Sequence, residues 1–297
     1  MLEHSPPFPL VIDHADKNRS LTLEDEEGIK LALRHHNRIC RIRLAMITPC
    51  PPELVNSIDK EFPILEHLCI DPLTYNDDGL VLPKTFRAPN LCHLVPLNCA
   101  LPAGSTLLST TTGLITLSLN SIPPSVSWYP TDLLHRVSSM PQLRTLGISF
   151  CFATPNLDVG RRVVNKPNMT HVVLPNLCWR GFQGGSTYIE ALLHRITAPL
   201  LEKLQIYFLN EFSVSIQNLQ RFISSADNLR FTSASLEFGK MGFSLQACPH
   251  EGSRKYALSM EAYSLQSRPQ LAVIYHRGDT RRSRTNILCG GASRSRR

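Results

Sequence analysis

Leu143-Arg-Thr-Leu146-Gly-Ile148-Ser-Phe-Cys151, preceded by Met140-Pro141, has the spacing L-x-x-L-x-L-x-x-C. The alternation at Leu146 and Ile148 sends two side chains into a core while the residues between them face outward, as in a half-buried strand. Taken as a unit, the spacing is the strand-and-turn signature of one leucine-rich repeat. Related spacings begin at Ile39-x-x-Ile42-x-Leu44, Leu65-x-x-Leu68-x-Ile70, Leu91-x-x-Leu94-x-Pro96 and Leu114-x-x-Leu117-x-Leu119. Further on come Met169-x-x-Val172-x-Leu174, Leu201-x-x-Leu204-x-Ile206 and a degenerate copy from Leu229. Their starts lie 23 to 32 residues apart, the period of a solenoid whose second half-repeat is a helix or a loop of variable length. Proline stands two residues before the first apolar position at Pro63, Pro89, Pro141, Pro167 and Pro199, where it ends a helix and starts an extended segment. The expected fold class is α/β: an irregular leucine-rich-repeat solenoid of about eight repeats, with parallel strands on the concave side and helices and loops on the convex side. The competing reading is scattered strands in an ordinary α/β domain.

Composition narrows the function. A chain of 297 residues with 42% hydrophobic content can bury a continuous core. The net charge of +7 suggests a nucleic-acid binder, but residues 277–297 hold seven arginines and one acid, Asp279, so that +6 of the charge sits there. The other 276 residues carry +1, which removes the electrostatic case for a nucleic-acid surface outside the tail. Nine cysteines with no C-x-x-C spacing read as reduced thiols of an intracellular protein, cytoplasmic or nuclear. Neither a signal peptide nor a run of roughly 20 apolar residues is visible, so no membrane contact is expected.

Along the chain, residues 1–36 read as an extended lead-in and an amino-terminal cap, with a helix from Glu24 to Leu33 whose acids suit the positive end of its dipole. Residues 37–250 hold the repeats, and 251–297 a degenerate end and a basic tail expected to be disordered. Helices are expected from Pro51 to Phe62, Thr131 to Met140, Tyr188 to Ile196 and Val214 to Ala226, with one turn at most over Arg161–Asn165. Ser105 to Gly113 is too rich in Thr and Ser to predict a helix, and Pro96 should shorten or bulge its strand.

No catalytic motif is legible: Gly181-Phe-Gln-Gly-Gly185 lacks a phosphate loop's lysine, and H-E-x-x-H, G-x-S-x-G and G-x-G-x-x-G are missing. The chain is therefore expected not to be an enzyme and to need no cofactor. The repeat phase offers a surface instead. In an L-x-x-L-x-L strand the third and fifth residues face the concave side. The third-position row reads Arg41, His67, His93, Thr116, Thr145, His171, Lys203 and Phe231, and the fifth includes Arg43, Gly147, Val173 and Gln205. Strands roughly 5 Å apart would bring His67 and His93 side by side, although without a third ligand no metal site is expected. This polar face, basic at its front end, is the expected protein-binding surface, with Arg41, Arg43, His67, His93, Thr116, Thr145, His171, Lys203, Gln205 and Phe231 on it.

Several idioms go beyond the repeat spacing. Pro9-Leu-Val-Ile-Asp13, Asp25-Glu-Glu-Gly28, Leu33-Arg-His-His-Asn-Arg38, Phe62-Pro-Ile-Leu-Glu-His-Leu68, Gly79-Leu-Val-Leu-Pro83, Phe86-Arg-Ala-Pro89, Ala198-Pro-Leu-Leu-Glu-Lys-Leu204 and Pro249-His-Glu-Gly-Ser253 resemble a large fungal family of F-box proteins with leucine-rich repeats, over about residues 8 to 260. The resemblance implies repeats that recruit a substrate and an amino-terminal F-box that docks on the Skp adaptor of a cullin ubiquitin ligase. No L-P-x-E-[IL]-L-type helix start is seen before residue 30. The chain is thus expected to be the repeat part, reaching the Skp adaptor only through an upstream F-box. The alternatives are a stand-alone scaffold or RNA-associated protein that uses the Arg-rich tail, or a non-functional gene fragment. If the tail binds RNA, removing residues 277–297 abolishes binding.

Overall fold

The computed structural model describes residues 8–14, 21–46, 52–72, 80–102, 104–122, 129–150, 171–209, 216–239, 242–249 and 256–263. Its strands are β1 Leu10–His14, β2 Ile39–Met46, β3 His67–Pro72, β4 Leu80–Val81, β5 His93–Pro96, β6 Cys99–Ala100, β7 Thr116–Ile122, β8 Thr145–Phe150, β9 Val172–Val173, β10 Trp179–Gly184, β11 Ile196–Thr197, β12 Lys203–Leu209, β13 Ser233–Gly239, β14 Gly242–Cys248 and β15 Leu258–Tyr263. Eleven of them form one sheet in the order β1-β2-β3-β5-β7-β8-β10-β12-β15-β14-β13. From β1 to β15 every neighbouring pair is parallel, and the last two pairings are antiparallel. The protein is mixed α/β, with a large and mostly parallel sheet and few helices.

The alternation seen in the sequence sets the register. Ile42, Leu68, Leu94, Leu117 and Leu146 are paired across successive strands, and all are buried. A second ladder runs Leu119, Ile148, Phe182, Ile206, Met260. Each such side chain contributes roughly 1.5–3 kcal/mol by leaving water. Pro96 acts as its chemistry requires. With no N–H to donate, it ends a strand of four residues, and β5 meets β7 only through His93–Thr116 and Leu94–Leu117.

The recurring prolines have a different structural basis from the one the sequence suggests. Pro63, Pro89, Pro141, Pro175 and Pro199 occupy the second place of a tight turn that leads towards the next strand, where the fixed φ of proline is already correct. The N–H of the first apolar residue closes the turn on the carbonyl three residues back: Leu65 to Phe62 at 3.3 Å, Leu91 to Ala88 at 3.1 Å, Leu143 to Met140 at 3.2 Å, Leu177 to Leu174 at 3.3 Å and Leu201 to Ala198 at 3.2 Å. In two of these turns the next residue is asparagine. Asn90 Nδ2 donates to Pro63 O (2.6 Å) and Asn176 Nδ2 to Pro141 O (2.9 Å), tying each turn to the one before it. We expect Asn90→Ala and Asn176→Ala each to cost about 0.5–1.5 kcal/mol. The two effects should add in the double variant, because the sites share no partner. Urea denaturation of the three proteins checks this.

Helices cover the apolar face. Leu23–Leu33 begins with a capping box in which Asp25 N–H donates to Thr22 Oγ1 (3.2 Å) and Thr22 N–H to Asp25 Oδ2 (3.1 Å). Its Lys30 bridges Glu26 and Glu53 at the surface. The helices Pro52–Ser57, Pro130–Val137, Ser186–Leu193 and Ile216–Ser224 overlap the four expected segments, each shorter than expected and the second and third starting one and two residues earlier. Leu133, Leu134, Val137, Ile189, Leu192 and Phe222 point into the core.

Four departures from the sequence reading stand out. The lead-in contains β1, paired with β2 along Val11–Arg41 and Asp13–Arg43. Leu107–Thr110, within a stretch read as unfavourable for helix, makes one helical turn. Val172–Val173 is not a strand of the large sheet and pairs instead with Ile196–Thr197; the place expected for it is taken by β10. Next to β12 stands β15, and the segment after Leu229 forms β13, the outer strand of an antiparallel hairpin. Cys151, Arg161–Asn165, Pro167, Met169 and the basic tail lie outside the described residues.

Candidate functional site

Between the buried positions, each strand of the large sheet from β2 to β12 turns two or three side chains to its open face. In register across it stand Arg41, His67, His93, Thr116, Thr145, Trp179 and Lys203. The next row holds Arg43, Cys69 and Val95 at the front, and Ser118, Gly147, Gly181 and Gln205 further along. The face closes at β15, where Ser259, opposite Gln205, is buried.

Its front end is cationic. Arg41 and Arg43 are exposed, and neither holds an ion pair among the described residues. Next to Arg41 the rings of His67 and His93 stack with centroids 4.4 Å apart and planes 7° from parallel. His93 Nδ1 lies 3.0 Å from Thr116 Oγ1, which fixes the ring. Stacked rings turn their faces to each other, so their lone pairs do not converge on one ion. Among the described residues no cluster of three potential metal ligands occurs.

Burial, His93 and the Arg41 guanidinium hold His67 below the usual imidazole range, while Glu66 pulls the other way. As pH falls, the unfolded chain therefore takes up this proton before the folded one. Stability present above the unfolded imidazole pKa, about 6.5, is lost as pH drops through the lower folded value. The thermal midpoint is expected to fall between pH 7 and pH 5, and His67→Gln to remove part of that fall in calorimetry.

The centre of the face is built differently. The Trp179 indole lies across two glycines: a Cβ on Gly181 would stand 2.6 Å from its Cη2, and a Cβ on Gly147 would stand 3.4 Å from its Cζ3 and 2.7 Å from Ser118 Oγ. At Gly181 only a residue without a side chain leaves room for the ring, whereas a Cβ at Gly147 would touch the ring at ordinary contact distance and crowd Ser118; the indole remains half-exposed. Beyond it, Ser149 Oγ donates to Gln183 Oε1 (3.1 Å). Burial and Glu261 push the Tyr207 phenol above its ordinary value.

Two expected residues stand elsewhere. His171 precedes β9, away from the open face, with Nε2 2.7 Å from Thr197 Oγ1. Phe231 is 39% exposed and precedes β13 at the far edge. Trp179, which occupies the place assigned to His171, was legible in one signal. Pro-Asn-Leu-Cys occurs at Pro89–Cys92 and again at Pro175–Cys178, and in both the residue after cysteine opens a strand of the sheet. The apolar template obscures it, because Arg180 stands where leucine is expected.

Compared with known proteins, the chain matches no family model, no curated protein and no solved structure. Among the described residues no helix is long and apolar enough to cross a membrane.

Proposed function

We propose that the chain is a non-enzymatic, protein-binding repeat module, resembling the substrate-recognition part of an F-box receptor of a cullin-type ubiquitin ligase. In this reading the sheet is the concave side of an irregular leucine-rich-repeat solenoid of about eight repeats, and the open face grips the partner. One observation carries it: Arg41 and Arg43, which hold no ion pair among the described residues, a stacked histidine pair and a half-exposed tryptophan stand on one face of the sheet, and no described element covers them. Half-buried aromatic and arginine side chains on a rigid support are the groups that dominate binding energy at protein interfaces. Contact with the Skp adaptor belongs to this reading only through an F-box upstream of Met1.

The test compares two sets of charge reversals in quantitative co-purification from cell extract. Arg41→Glu, Arg43→Glu and Lys203→Glu together are expected to lower recovery of a defined partner set about tenfold or more, with little change in thermal stability. The control, Glu24→Lys with Glu27→Lys on the exposed side of the first helix, should retain that set. If the triple variant keeps every partner, the open face is not the binding surface.

A further inference from the structure

We infer that the open face takes an extended acidic segment of a partner protein, laid across the strands, with carboxylates at Arg41 and Arg43 and an apolar side chain on Trp179 about seven residues away. This rests on the protein-binding reading above and specifies the chemistry of the partner. Three features of the face support it.

The first is charge. Arg41 and Arg43 are alternate residues of β2, so both guanidinium groups rise from the same face about 7 Å apart. The strand beside them offers Val11 opposite Arg41 and a single acid, Asp13, opposite Arg43. Among the described residues neither arginine holds an ion pair with Asp13 or with Glu66, the acid beside His67, so both guanidinium groups remain available to a partner, and the stacked imidazole rings lie directly beside them. Carboxylates meet arginine in paired, charge-assisted hydrogen bonds.

The second is relief. Between the histidine pair and the tryptophan, the outward residues are Thr116, Thr145, Ser118, Gly147 and Gly181, all small. They form a low floor running across the strands, walled at one end by His93 and at the other by the indole. All the strands here have neighbours on both sides, so an incoming segment finds no free sheet edge and is held through side chains. The indole resting on Gly147 and Gly181 cannot sink further, so its outer surface is fixed as a platform for an apolar group.

The third is length. From β2 to β10 the sheet advances through β3, β5, β7 and β8, which is five spacings of about 4.8 Å, or about 24 Å. An extended chain covers that distance in about seven residues. A nucleic acid fits less well, because Glu261, beyond Trp179 at the far end of the face, repels a polyphosphate that continues past the arginines.

Fluorescein-labelled peptides of about 14 residues, with two glutamates and one tryptophan at varied separation, test this by fluorescence anisotropy with the full chain. Affinity should peak near a separation of seven and fall about tenfold at three or eleven. It should weaken with salt and drop about tenfold or more in Arg41→Glu with Arg43→Glu. Gly181→Val should displace the indole and lower affinity. Trp179→Ala, which adds no bulk, gives the same reading if the valine variant does not fold. Equal affinity at all separations, equal affinity for lysine peptides, or stronger binding of oligouridine overturns the inference. If protein partners are lost from the triple charge-reversal variant but no acidic peptide binds, the inference fails alone. If the partners are kept as well, the protein-binding reading of this face fails with it.

Discussion

Arg180→Leu is expected to stabilise the protein by about 1–4 kcal/mol, the gain seen when buried charged groups give way to well-packed apolar ones. Arg180 occupies a leucine position: its neighbours in register are Leu146 on β8 and Leu204 on β12. It is 1% exposed, and among the described residues its terminal nitrogens Nη1 and Nη2 have no hydrogen-bond partner. Burial lowers its pKa to about 10, so it is still a cation at neutral pH. The compensating contact is the Phe222 ring, 5.4 Å from the guanidinium carbon. A desolvated cation–π contact contributes about 2 kcal/mol, less than the several kcal/mol that burying the ion costs. The Tyr188 phenol, pushed up by burial and by Asp132, is a second buried donor whose oxygen has no partner among the described residues. Leucine restores the ladder; Arg180→Met keeps more of the stem length and should gain similarly. Urea midpoints with unchanged slopes would show the gain. A loss of about 3–5 kcal/mol instead would mean that the guanidinium is paired with an acceptor in solution.

The same residue explains where the sequence was legible and where it was not. Period-two alternation located β2, β3, β5, β7, β8 and β12, with a turn proline in support at β3, β5, β8 and β12, because apolar side chains fill their described inward places. At β10 the inward triplet is Leu177, Arg180, Phe182, and a template that counts apolar residues prefers Met169, Val172, Leu174 ten residues or fewer upstream. That one substitution moved the outward row from Trp179 to His171. β15 was missed for a different reason. A hairpin, β13–β14, is inserted between β12 and its parallel neighbour, and its pairing depends on distant partners rather than on local periodicity. The front of the face, from Arg41 to Thr145, was legible because its register follows from phase alone. His67 and His93 were placed side by side by the strand spacing, but the stacking of their rings and the glycine floor under Trp179 were not legible, since both depend on side-chain orientation.

Phe182→Ala is expected to cost about 3–5 kcal/mol and to divide unfolding into two steps. Phe182 fills the second ladder between Ile148 and Ile206. Its ring stacks on Tyr188 at 5.8 Å and meets Phe150 edge-on at 6.3 Å, while Tyr188 and Phe150 meet at 5.0 Å. Truncation therefore opens a cavity where three aromatic rings converge. Among the described strands, β10 alone joins the sheet from β1 to β8 with the part from β12 to β13. In an array where each strand bears mainly on its neighbours, weakening one junction lowers cooperativity more than the energy lost would suggest. Circular dichroism should then show a broadened or biphasic urea transition, and a single sharp transition would mean that the halves are coupled by other contacts. A cycle with Gly184 isolates the packing term. A Cβ on Gly184 would stand 2.8 Å from Phe182 Cζ and 2.9 Å from Phe150 Cδ2, so Gly184→Ala overpacks the wild-type core at a cost of about 1–3 kcal/mol. With Phe182 already truncated, the added methyl group loses one of its two collisions and enters the cavity. Gly184→Ala should then cost much less in the Phe182→Ala background than alone, a coupling that additivity between independent sites does not produce.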